Sequence, residues 1–523
     1  MPRSGDATLF FTDDDFIWVE PALETAPTVA VALPAPGRLR PARRHQTRTL
    51  AGDLARLRAG VAAQTAALPP RARVVLAACL LAALCVLALI VVSGGGDRSS
   101  RQASPARSKE GLTPQKGAPA DAPFLRTLKA GDQGPGVADL QHALGALGLY
   151  SQAVDGVFGD STGAAVLAFQ SEHGLVPDGI AGPTTIQALV ETLAQGAKSD
   201  AAVARDGLTS AVAAGRLSAA SAKRYRSVVA SSLEQLRALP PGRVPTLALV
   251  FDSVAAAASE YDEPRALTLF SMLKANADYL TKHAPPTATF TDIEDADGIV
   301  YRFLPQHGFQ FHPIADFARL NKLARNGKTE AVRRLADALV ARGIRSGDAL
   351  LWEYYFPFGG PAHWTSGFAQ ATAAQALARS ADLLDDAKLE DAARAAFRGI
   401  ARGLWLDVAS GLWVREYGFS DMPILNAQLQ AIISLSDYAE LADDDGARAA
   451  VAKMEAATRG VLAQFDTGCW SRYSLGGSPA SLHYHKYHVR LLKQLGAETG
   501  DPLWSETAAR WGGYLSSGGP TAC

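Results

Sequence analysis

Twenty consecutive residues without a charge, "VVLAACLLAALCVLALIVVS" from Val74 to Ser93, divide this chain into parts that cannot share one core. A run of that length matches the apolar thickness of a bilayer when helical, and no polar face interrupts it. It starts too late and runs too long for a cleaved leader. The sequence therefore predicts a single transmembrane helix over 74–93. Arginines 38, 40, 43, 44, 48, 56, 58, 71 and 73 precede it, while Arg98, Arg101, Arg107 and Lys109 follow. This modest bias favours a cytoplasmic N-terminus and extracytoplasmic C-terminal domains, hence a single-pass protein of the cell membrane.

Composition shifts on both sides of the span. Residues 1–73 are rich in Pro, Ala and Arg without a helical or strand period and read as disordered. Residues 94–124, "GGGDRSSRQASPARSKEGLTPQKGAPADAP" and the residue after it, read as a linker. Across the whole chain the formal net charge is −1, which argues against a general nucleic-acid binder. The four cysteines, 79, 85, 469 and 523, form no CxxC or Cys/His cluster, so no metal site is expected. A Cys469–Cys523 disulfide is compatible with an extracytoplasmic location.

Residues 125–195 carry the first folded module. Val137, Leu140, Leu144 and Leu147 share a helical face that Gly148 ends. "DGVFGDST" leads into a second helix bearing Ala165, Val166 and Phe169, and "DGIAGPTT" repeats the device before a third, short helix. The pieces "GDQGPGV", "VDGVFGDSTGAAVLAFQ" and "LVPDGIAGPTT" resemble the small three-helix peptidoglycan-binding module of bacterial wall enzymes. The resemblance implies wall binding, with a mere spacer as the alternative.

From residue 200 to 523 amphipathic helical segments predominate, with an alternating stretch at 288–312 that reads as a short β-hairpin around "DADG". Paired helices without a fixed repeat favour an α/α toroid, so the fold class is mainly α throughout. Three clusters hold ionisable and aromatic residues at helix entrances: 363–380, 415–443 and 465–495. In "REYGFSDMPILNAQ" the expectation is that Ser420 and Asp421 open a helix whose first core residue is Leu425.

These clusters resemble, in order, the C-terminal domain of D-glucuronyl C5-epimerases. The carrying residues are Trp364, Ser366, Ala369, Gln370 and Arg379; then "REY", "ILNA" and "SLSDY"; then "FDTGCWSRYSL" and "HYHKYH". "PQHGFQFHPIADFARLNKL" resembles the segment entering the helical domain. The resemblance implies an isomerase that inverts C5 of a uronic acid within a polysaccharide, without cofactor, by removing and replacing a proton. It places Glu416 and Tyr484 as opposed acid and base, with Tyr417 and Tyr473 assisting at the carboxylate. Trp364, Gln370, Arg379, Arg415, Asn426, Arg472, His485 and His488 would bind or orient substrate. A phenol of pKa near ~10 needs cations beside it to act as a base, and Arg379, Arg415 and Arg472 are the candidates.

The match has gaps. Arg415, Ala427, Ser474, Gly476 and His483 depart from the family pattern, and Gly476 stands where the family has a carboxylate-gripping arginine. His483 and Tyr487 read as surface residues, whereas packing alone explains Trp364, Phe368 and Leu377. A polysaccharide lyase, which takes the same C5 proton, and a non-catalytic glycan-binding protein remain as alternatives. A homodimer, as in animal members, is left open.

Overall fold

The computed structural model describes residues 126–152, 154–286 and 291–516. The apolar run at 74–93, with the segments on either side of it, lies outside the described residues. Among the described residues no helix is long and apolar enough to cross a membrane.

Fourteen α-helices and nine short strands make up this part. In the module, α1 (Pro135–Ala146) and α2 (Asp160–Glu172) are joined to α3 (Pro183–Ala213) by two turns of the same design. Buried Gln141 accepts from Gly156 N–H at 3.0 Å while its amide donates to Asp155 Oδ1, Val157 O and Thr162 Oγ1. Gln170 repeats this on Gly179 N–H, Asp178, Ile180 O and Thr185. Gly156 and Gly179 take φ of 67° and 71°, the left-handed turn region that favours glycine. Thus "Q…DG…T" is written twice because each turn supplies the partners that a buried glutamine needs.

The third helix is not short. It runs 31 residues, through 195–200 where a boundary was expected, and packs on α4 (Ala219–Ala238) and α5 (Val244–Ala256). An alanine stripe at 197, 201, 204, Gly207 and Ala211 is fully buried or nearly so, allowing close helix approach. A side chain on Gly207 would meet the Ala258 carbonyl at 2.6 Å.

Beyond α6 (Glu263–Lys282) comes a three-stranded antiparallel sheet rather than one hairpin: β1 (Asp292–Glu294), β2 (Val300–Leu304) and β3 (Gly308–Phe311). The "DADG" turn is built by Asp295, whose carboxylate accepts from Asp297 and Ile299 N–H. Four helix pairs follow. The first members, α7 (Pro313–Arg325), α9 (Gly367–Leu384), α11 (Leu425–Leu441) and α13 (Leu482–Thr499), pack on one another in sequence order. Their partners, α8 (Thr329–Arg342), α10 (Ala387–Ile400), α12 (Asp445–Val461) and α14 (Pro502–Tyr514), lie outside them. The sequence accounts for the two layers. "GFAQATAAQALA" and "LNAQLQAIISL" carry no charge and are buried throughout, whereas α10 and α12 have one apolar stripe.

Three hairpins that sequence reading missed separate the pairs: β4 (Ile344–Ser346) with β5 (Ala349–Leu351), β6 (Glu353–Tyr354) with β7 (Trp364–Thr365), and β8 (Trp405–Val408) with β9 (Gly411–Val414). Strands of two to four residues leave almost no alternation to read.

Candidate functional site

Glu416 and Tyr417 follow β9 directly. Their loop is stitched to neighbours by backbone bonds: Gly367 N–H to Arg415 O at 2.8 Å and Gly418 N–H to Thr365 O at 2.8 Å. Opposite, Leu425 N–H donates to Tyr473 O and Leu475 N–H to Pro423 O, so the "RYS" segment is tied to the start of α11. Ser481 caps α13 and accepts from Tyr484 N–H, fixing Tyr484 in the first turn. Three segments distant in sequence therefore meet at the N-terminal ends of α9, α11 and α13.

Tyr417 and Tyr473 share a hydrogen bond of 3.3 Å between hydroxyls, and the Tyr473 and Tyr484 rings lie 4.7 Å apart. Asn426 Nδ2 donates to Glu416 Oε2 at 3.4 Å. Glu416, Tyr417, Tyr473, Tyr484 and Asn426 are all buried. Burial pushes the Tyr473 phenol well above its usual range, and Glu416 and the other two tyrosines push it the same way. Tyr473 is thus held protonated, a hydrogen-bond donor rather than a base.

The arginines expected beside these phenols make other pairings. Arg379 is twelve residues into α9, about 18 Å along the helix from its start. There it pairs with Asp437 at 2.6 Å and donates to Asn321 Oδ1. Arg415 pairs with Asp421, and Arg472 donates to Gly477 O at 2.6 Å. Asp421 and Ser420 accordingly do not cap α11, which starts at Leu425 with no side-chain cap. Leu425 is fully buried, as expected.

Four other side chains assigned to substrate serve the fold instead. Gln370 is 0% exposed and spends its amide on Leu350 O, Ala396 O and Trp352 N–H. Gln428, also fourth in its helix, does the same for β9 and α12. Trp364 donates to Phe356 O and stacks on Tyr354 at 4.2 Å, forming the wall against which Tyr417 packs. His485 stacks on Trp470 at 3.8 Å, accepts from Ser471 N–H through Nδ1 and donates to Trp511 O through Nε2. That pattern makes it neutral and orients the backbone one residue before Arg472. His488 meets Ser471 Oγ through Nδ1, and burial drives its pKa down to about 3.

Two phenols were missed. Tyr354 and Tyr487 are buried, and Glu416 raises the pKa of each further, which places both within the field of that carboxylate. Tyr487 donates to Gln430 Oε1 at 3.2 Å; it is not a surface residue. Its position three residues after Tyr484 on α13 was the available signal, since i and i+3 share a face.

The arrangement is one buried carboxylate among five buried phenols, at the positive ends of three helices. Residues 346–513 match the family model "D-glucuronyl C5-epimerase C-terminus". Residues 133–189 match a peptidoglycan binding domain model. D-glucuronyl C5-epimerase of Caenorhabditis elegans is 29% identical over 237 residues, 40% of this chain and 35% of the worm protein. N-acetylmuramoyl-L-alanine amidase CwlM of Mycobacterium tuberculosis is 48% identical over 56 residues, covering 11% of this chain and 14% of that protein. Zinc D-Ala-D-Ala carboxypeptidase of Streptomyces albus G is 46% identical over 67 residues, covering 12% and 26%. The chain thus spans about a third or less of these curated relatives. Among solved structures, cellobiose 2-epimerase of Bacillus thermoamylovorans B4167 aligns at a TM-score of 0.34 and 10% identity over 52% of this chain and 74% of that one, too loosely to bear on function. The epimerase-matching region holds every residue of the phenol cluster.

Among the described residues no group of three or more His, Cys, Asp or Glu is placed to hold a metal ion. Cys469 is disulfide-bonded; the other three cysteines, its partner among them, lie outside the described residues.

Proposed function

We propose that this protein is a carbohydrate epimerase that inverts C5 of a uronic acid residue in a cell-surface or wall polysaccharide. The observation that carries the reading is the convergence of Glu416 with Tyr417, Tyr473 and Tyr484 from three separate segments inside the epimerase-matching region. In the mechanism we infer, Glu416 and Tyr484 face opposite sides of the sugar ring. Glu416, steadied by Asn426, exchanges the C5 proton on one face; the Tyr484 hydroxyl exchanges it on the other. Charge that builds on the substrate carboxylate as C5 is deprotonated is met by the Tyr417–Tyr473 hydroxyl pair, whose donor stays protonated. The converging helix N-termini favour the same charge. They stand in for the arginine whose place Gly476 takes.

Under this reading residues 200–523 form the catalytic domain and 125–195 a wall-binding one. The run at 74–93 is a membrane anchor with its N-terminus cytoplasmic. The Cys469 disulfide supports an oxidising, extracytoplasmic setting for the C-terminal domains.

Incubating the protein with a panel of uronic-acid polymers in heavy water tests the proposal. The expected result is deuterium at C5 without chain cleavage, read by NMR. Unsaturated products absorbing in the near ultraviolet would identify a lyase instead, and neither signal with any polymer would leave a glycan-binding role.

A further inference from the structure

The module is built into the second domain rather than hung from it. Gln306, at the turn between β2 and β3, donates its N–H to His142 Nδ1 at 3.1 Å and its side-chain amide to Gln152 O. Helix α1 also packs on α5. Between these surfaces lies a cavity of about 350 Å³, the size class of small-ligand sites. The module contributes Asp139, His142 and the Asp155–Val157 turn; the second domain contributes Thr246, Phe303 and most of the five lining prolines.

The chemistry of the lining is specific. Because His142 Nδ1 accepts a backbone N–H, its neutral ring carries the proton on Nε2, a fixed donor. Burial lowers the His142 pKa to about 4, so the ring stays neutral near pH 7. Thr246 adds a hydroxyl, and the prolines with Phe303 supply an apolar floor. The charged residues of the lining are the acidic Asp139 and Asp155; no lysine or arginine joins them. An anionic polymer is therefore disfavoured here, unlike at the helix N-termini around Glu416. A neutral acetamido sugar fits: its carbonyl accepts from a fixed N–H, its methyl sits on the apolar floor, and its hydroxyls meet carboxylate and hydroxyl.

We propose that this cavity is a binding site for an N-acetylated amino sugar of a wall glycan, formed jointly by the module and the second domain. The proposal rests on the glycan-binding reading of the module and not on the epimerase chemistry.

Calorimetric titration of the purified full chain with N-acetylchitotriose, cellotriose and a glucuronic-acid oligosaccharide tests it. The N-acetylated trimer should bind at least about tenfold tighter than either of the others. Ala138→Leu, which fills the cavity beside Asp139, should weaken that binding at least about tenfold with an unchanged melting temperature. His142→Gln, which keeps one acceptor and one donor, should bind better than His142→Phe. Equal affinity for cellotriose, tighter binding of the uronate, no binding of the N-acetylated trimer, or indifference to Ala138→Leu would each overturn the proposal. C5 deuterium exchange, measured separately on the same protein, tells a failed cavity assignment from a failed epimerase assignment.

Discussion

The two ends of the inner helices use opposite chemistry. At the N-terminal ends, Glu416 sits among buried phenols. At the C-terminal ends, Arg325 of α7, Arg379 of α9, Asp437 of α11 and Glu498 of α13 form an ionic cluster: Arg379 pairs with Asp437, Arg325 feels both, and Glu498 feels both as well. The lesson is that one end is balanced and therefore structural. The other gathers hydroxyl donors and one carboxylate where three helix N-termini converge.

This contrast can be broken by experiment. The largest expected effect is at the phenol end: Glu416→Gln should reduce C5 exchange by about 10²–10⁴-fold while the melting temperature stays near wild type. Tyr484→Phe should fall in the same range. Unchanged exchange in both variants would refute the site.

Next in size is a variant that touches the fold between the ends. Gln370→Ala strips partners from three buried backbone groups and should destabilise by about 3 kcal/mol or more in denaturant unfolding. A loss of substrate affinity at full stability would instead restore Gln370 to the substrate site.

A third test is the pH dependence of stability beside the phenols. His363 lies between Glu353 and Glu260, and the hydrogen bond to Glu353 raises its pKa. Arg265, which donates to both Glu353 oxygens through Nε and Nη2, and Asp262 complete the group. A raised histidine stabilises fully below its unfolded pKa, about 6.5, and this contribution fades as pH rises through the folded value. Glu353 behaves in the reverse sense. Its pKa is lowered to about 2, so its contribution is present above its unfolded value and disappears as pH falls through about 2. His363→Gln should flatten the decline between neutral and mildly alkaline pH in urea titrations. A decline that persists in that variant would assign it elsewhere.

The smallest effect belongs to the ionic end. Arg379 is partly exposed, so Arg379→Ala should cost no more than about 1 kcal/mol and leave exchange unchanged. A large drop in exchange would move the active site to the opposite end of the helices.

How far the sequence reached depended on the range of the interactions. The glutamine-stapled turns were legible as "DG" repeats, and Gly148 as a helix stop, because those constraints are local. Glu416, Tyr417, Tyr473 and Tyr484 were named through an ordered resemblance and do come together. Arg379 came with the Trp364–Gln370 motif of the same resemblance, yet helical rise sets it about 18 Å from the start of that helix. His485, His488 and Gln370 were named through the same resemblance; their partners show Gln370 and His485 bracing backbone and His488 meeting the Ser471 hydroxyl.

The sequence by itself determined the helical class, the amphipathic helix pairs and the twin turns of the module. Those follow from periodicity, glycine conformation and residue chemistry, which act over a few positions. Only the tertiary structure decided that α3 carries the module into the second domain. It also decided that Tyr354 and Tyr487 join the phenols and that Arg379 pairs with Asp437 away from them. Each depends on which distant segments share a buried space, and that is set by packing of whole helices rather than by any local stretch of chain.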